Sequence, residues 1–130
     1  SSPTEPERVP GSVAGTWRGE MSGRVGGAAF TCALEIDLDD REDGIFVGGW
    51  KTECPGANDS STLAAASFPG FTLLTALPVF NGPAAHPLGT CGWGGPVTRQ
   101  GNELRGDWEP PDDCADASLA GGPLRLRFVG

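Results

Sequence analysis

One histidine, four cysteines and two acidic clusters are the residues of this 130-residue chain that could do chemistry. The histidine, His86, lies in Ala85-His86-Pro87. A Ser–His–Asp or Cys–His centre needs the imidazole beside a nucleophile and an orienting acid. A loop of Pro, Ala and Gly supplies neither, so His86 reads as a loop residue. The acidic run Asp37, Asp39, Asp40, Glu42 and Asp43 invites a calcium reading. With an EF-hand frame begun at Asp39, Arg41 takes the third position and Trp50 the twelfth. Both must be oxygen ligands, so the frame fails and the run reads as a solvated hairpin tip. Asp112, Asp113 and Asp116, which flank Cys114, read the same way. Glu103, Asp107 and Glu109 alternate with Leu104, Gly106 and Trp108. They therefore point to solvent, not across a cleft at a partner as glycoside hydrolysis requires. No phosphate-cradling glycine loop precedes a helix. The reading is of a protein without a catalytic centre, a metal site or a cofactor.

Cys32, Cys54, Cys91 and Cys114 are spaced far apart, with no Cys-x-x-Cys. That pattern suits zinc poorly and suits two disulfides in an oxidising compartment. The order Thr-Cys, turn, Gly-x-Trp, Cys occurs twice. Thr31-Cys32 leads to Gly48-Gly49-Trp50 and Cys54, and Thr90-Cys91 leads to Gly106-Asp107-Trp108 and Cys114. In each copy one Cys lies on the first strand of a hairpin and the other just past its partner. Folding the hairpin brings them together, which predicts Cys32–Cys54 and Cys91–Cys114. The same echo suggests two four-stranded halves, about 14–68 and 71–129.

Positioning these residues falls to strands. With Gly 21 and Pro 12, the longest stretch free of both is Ala28 to Asp43. Glycine costs about 1 kcal/mol and proline about 3 kcal/mol in a helix interior, so a helix bundle is excluded. Short apolar segments between Gly, Pro and Asp signals predict strands over Gly15–Ser22, Ala29–Asp39, Ile45–Thr52, Thr62–Phe68, Phe71–Leu77, Leu88–Thr98, Glu103–Glu109 and Leu124–Val129. The second alternates cleanly, with Phe30, Cys32, Leu34, Ile36 and Leu38 on one face. The last is predicted to contain no proline. Eight strands in a chain this short make an antiparallel up-and-down barrel, with a two-sheet β-sandwich as the alternative. Trp17, Trp50, Trp108, Phe46 and Phe128 then face inward, with Leu73 among their neighbours, as a packed core or a small pocket. Strand one closes the barrel against strand eight, with Glu20 opposite or diagonal to Arg125 or Arg127.

Gly15-Thr16-Trp17 on strand one, the meander, and Arg125 and Arg127 on the last strand resemble the lipocalin-like and avidin-like barrels. The resemblance implies that Trp17 plugs one barrel end beneath Arg125 or Arg127, and that the interior could carry a small apolar ligand. Biotin is not implied, because Arg18, Gly19 and Glu20 stand where avidins place Asn and Ser. Small periplasmic metalloprotease inhibitors are similar in architecture, as short barrels with a free N-terminal arm.

Net charge is −8. Nucleic acid is thereby disfavoured as a partner, and no apolar run reaches the roughly 20 residues of a membrane-spanning helix. Residues 1–12, rich in Ser, Pro and Glu, read as a tether like the spacer of a lipid-anchored bacterial lipoprotein. The expectation is an exported, non-catalytic barrel, in the bacterial periplasm or on the outer face of a membrane. It would bind a protein as an accessory subunit of a membrane-anchored complex. Val79, Phe80 and His86, in the proline-rich loop Leu77 to Leu88, are the candidate contacts. A lipocalin-like carrier, or a protease inhibitor acting through its arm, are the alternatives.

Overall fold

A computed structural model describes residues 12–54, 57–78, 91–114 and 117–130. Its elements are eight strands: β1 Gly15–Val25, β2 Ala28–Glu42, β3 Ile45–Cys54, β4 Ala57–Phe68, β5 Phe71–Ala76, β6 Trp93–Gln100, β7 Glu103–Trp108 and β8 Gly122–Phe128. Each pairs antiparallel with the next, and β1 pairs with β8, so the sheet closes into an up-and-down barrel. The sandwich alternative is thereby excluded. Closure leaves the two ends different. The lower end carries the β2–β3, β4–β5 and β6–β7 turns and both described termini. The other carries the longer connections.

The turns follow from residue type. Asp43 and Gly44, at φ 27° and 83°, take the left-handed backbone that a two-residue hairpin turn requires. Beside them the register shifts between Asp40 and Glu42, a bulge at the hairpin tip. Several strands run further than their apolar patterns indicate. β2, for example, continues to Glu42 because its paired backbone extends past the last buried side chain, Leu38. The last strand begins at Gly122 and so contains Pro123, contrary to the expectation of a proline-free strand. Pro123 pairs with Asp107 of β7 and lies ahead of the first rung with β1, Met21↔Leu124. A strand's opening residues tolerate a missing N–H.

Inside, Trp17, Met21, Leu34, Ile36, Leu104 and Trp108 are almost wholly buried, with Trp50 and Phe46 beside them. The closing seam matches expectation: Glu20 lies opposite Arg125, between Gly19↔Leu126 and Met21↔Leu124. A one-residue slip would turn Trp17 to solvent, so the buried face sets the register. Both disulfides form as predicted, Cys32–Cys54 and Cys91–Cys114. The recurrent Gly-x-Trp has a backbone cause. A Cβ on Gly48 would stand 1.8 Å from the Asp37 carbonyl oxygen, and one on Gly106 would stand 2.0 Å from that of Pro96. These glycines let neighbouring strands approach; they do not make room for the indoles.

Candidate functional site: the barrel ends and an uncharged outer wall

The interior is occupied by side chains. Trp17 donates its indole N–H to the Val13 carbonyl at 3.0 Å, Trp108 to Ser22 at 2.9 Å, and Trp50 to Leu77 at 3.2 Å. A fourth indole, Trp93, lies edge-on to Trp50 with centroids 5.8 Å apart and is 2% exposed. Its Nε1–H has no acceptor among the described residues. The strand-six pattern, broken by Gly92, Gly94 and Gly95, did not mark Trp93 as a core residue. The barrel brings Trp17, Trp50, Trp108 and Phe46 into one core with it.

Phe128 is placed differently from the others. It is 38% exposed at the end of β8, where the barrel opens, and its ring meets the edge of Trp17 at 5.1 Å. The arginine over Trp17 also differs from the resemblance. Arg125 and Arg127 are exposed on the outer face. Arg99 of β6, on an inward position, sets its guanidinium 5.2 Å from the Trp17 ring and 5.9 Å from Phe128, and donates to the Ser12 carbonyl. Alternation puts Arg125 and Arg127 outward, and the cation comes instead from β6, which pairs with neither β1 nor β8. Cation–π contacts contribute about 0.5–2 kcal/mol depending on desolvation. Arg99→Ala should therefore cost about 1–2 kcal/mol in urea unfolding, whereas Arg125→Ala stays within about 0.5 kcal/mol. Equal losses would show that the plug does not depend on Arg99.

Charge is unevenly spread over the outside. The outer faces of β1, β2, β7 and β8 together carry both acids and bases. Glu35 binds Arg18 at 2.7 Å and Lys51 at 3.6 Å. Glu103 binds Arg105 at 2.8 Å and Arg127 at 3.1 Å. The Arg18 hydrogen bond holds Glu35 below the usual carboxylate range, and Arg105 does the same for Glu103. On β4, β5 and β6 the outward positions hold no charged side chain: Asn58, Ser60, Thr62, Ala64, Ala66 and Phe68, then Phe71, Leu73 and Thr75, then Gly94, Pro96, Thr98 and Gln100. Ile45, Ala66, Leu73 and Pro96 stand in one row across four strands. Ile45, Phe68, Phe71, Leu73 and Leu77 are each 40% exposed or more, and Phe68 stacks on Phe71 at 5.2 Å. Leu73 was expected inside. Leu74, at 1% exposure, takes that place, and the buried Thr72 on the same face shares a hydroxyl hydrogen bond with Ser67. Two adjacent leucines leave the strand's parity open in sequence.

Above this wall, a groove of about 620 Å³ runs between β5–β6 and residues 109–114, with the Cys91–Cys114 disulfide in its lining. Val79, Phe80 and His86, the N-terminal arm Ser1–Gly11 and Asp116 lie outside the described residues. Among the described residues no three His, Cys, Asp or Glu side chains converge as a metal site, and no helix is long and apolar enough to cross a membrane. Comparison with protein-family models, curated proteins and solved structures finds no match.

Proposed function

We propose that this protein is a non-catalytic binding subunit that docks another protein on the uncharged outer wall of β4–β6. The observation that supports this reading is the wall itself. A chain of net charge −8 leaves one side of its barrel free of charge and lined with exposed Ile, Phe and Leu. Contiguous exposed apolar patches of this kind mark interaction surfaces. The partner's chemistry follows from the rim. Asp39, Asp40, Glu42 and Asp43, with Arg41 as the one base among them, border the lower edge, and Glu109, Asp112 and Asp113 border the upper. A second copy would set acid against acid. The fitting partner has an apolar centre and a basic rim. Two disulfides suit an oxidising, non-cytoplasmic environment, and we place the interaction in the periplasm or at the outer face of a membrane, within a membrane-anchored complex.

A photo-crosslinker at Leu73, tested in the native membrane fraction against one at Arg125 on the charged wall, tests this. The Leu73 probe should give one stoichiometric adduct, weakened by salt, and the Arg125 probe none. Ile45→Glu should weaken the complex at least about tenfold, the scale of an interface anchor, with an unchanged melting temperature. Equal labelling from both walls, or indifference to Ile45→Glu, would sink the proposal.

A further inference from the structure

The groove above the wall is a second site, and its argument does not depend on the protein partner. We infer that it binds a neutral, largely apolar molecule that presents a carbonyl-type acceptor to the indole N–H of Trp93. Its volume, about 620 Å³, falls in the range of small-molecule sites, which are mostly apolar with a few placed polar groups. Leu73, Leu77, Pro110 and Pro111 supply the apolar lining. The Cys91–Cys114 bond ties the two sides together covalently, so the groove is present before any ligand arrives. Trp93 belongs to the same lining and is 2% exposed. The other three indoles each donate to a backbone carbonyl, whereas Trp93 Nε1–H has no partner among the described residues. Buried donors are almost always satisfied, and one left open among the described residues, beside a cavity, suits an acceptor that a ligand brings.

The lining also sets the ligand's charge. Among the described residues that line it, Glu109 and Asp113 are the only ionisable side chains that can carry charge, and both are acidic. Among these described residues a carboxylate or phosphate would meet two like charges and no base. An ester, ketone or amide oxygen on an apolar body meets the indole donor without that repulsion.

Nile red, neutral and bearing one carbonyl, is a suitable probe of the intact protein. Titration followed by its emission, and by the indole N–H resonances in two-dimensional NMR, should show saturable one-to-one binding. The Trp93 indole proton should move downfield as it gains an acceptor, while those of Trp17 and Trp108 stay in place. Trp93→Phe keeps an aromatic ring and removes the donor. It should weaken binding about tenfold without lowering the melting temperature, because it also removes an unsatisfied group. Leu77→Asp, which leaves Trp93 intact and charges the groove, should weaken binding further. If Trp93→Phe fails to fold, the wild-type resonance and Leu77→Asp decide. Absence of saturable binding, an unmoved Trp93 resonance, or binding indifferent to Leu77→Asp would overturn the inference.

Discussion

Replacing Trp17 with alanine is expected to lower the unfolding free energy by about 3–5 kcal/mol, the range of buried Trp and Phe truncations. Trp17 is wholly buried. Its backbone is paired on both sides, with Ile36 of β2 and Phe128 of β8, so it sits where the barrel closes. Its indole tethers Val13, and Phe128 and Arg99 lean on it. Alanine leaves a cavity that a closed ring of hydrogen-bonded strands cannot easily shrink, and it strands the arginine over a void. Against a total stability of about 5–15 kcal/mol for a domain, a loss of this size brings part of the population to unfolding at moderate temperature. Trp17→Phe retains much of the volume and should fall between the two. Urea unfolding monitored by circular dichroism measures all three. A loss under about 1.5 kcal/mol for Trp17→Ala would mean that this end collapses freely and that the plug is not structural.

Removing Cys32–Cys54 by the double substitution Cys32→Ala and Cys54→Ala is the second large effect. The two residues face each other across β2 and β3, with Cα atoms 4.3 Å apart and a sequence separation of 22. In the chain-entropy model, releasing a loop of this length costs about 3 kcal/mol. Cys32 is also fully buried and Cys54 is 7% exposed, so two core sulfurs vanish together, adding roughly 1 kcal/mol for small cavities. Cys91–Cys114, with a separation of 23 residues, closes a loop of nearly equal length. Its two cysteines are only half-buried and lie outside the strands. Its double substitution should cost about 3 kcal/mol, and less than the first. It should also loosen the groove, seen as weaker Nile red binding at temperatures where the barrel remains folded. Equal stability losses for the two pairs would contradict the role assigned to Cys32 and Cys54 in the core.

Much of the architecture is legible in the sequence because its signals are local. From Phe30 to Leu38 one face is apolar and the other polar, so a single strand declares which side is buried. The hairpin signal at Asp43-Gly44 and the repeated cysteine spacing then bring Cys32 to Cys54 with no knowledge of the rest. Even the seam is accessible, since inward Trp17 and Leu126 leave Glu20 and Arg125 to meet outside.

Elsewhere local signals fall short. In Phe71-Thr72-Leu73-Leu74-Thr75-Ala76 both faces hold apolar groups, and only pairing with Ala66 and Ala65 decides that Leu74 is inside and Leu73 out. Three glycines near Trp93 hide a core residue, because a strand with no side chains beside it shows no period. Arg99 reaches Trp17 from 82 positions away, between strands that never pair. The uncharged wall is likewise not a property of any one strand. β4, β5 and β6 are each unremarkable alone, and they form a surface only when closure lays their outward residues side by side. Alternation along a strand is set by backbone geometry and is written in the residues themselves. Which alternations lie next to one another, and which indole finds no acceptor among the described residues, depends on ring closure, which joins residues distant in sequence.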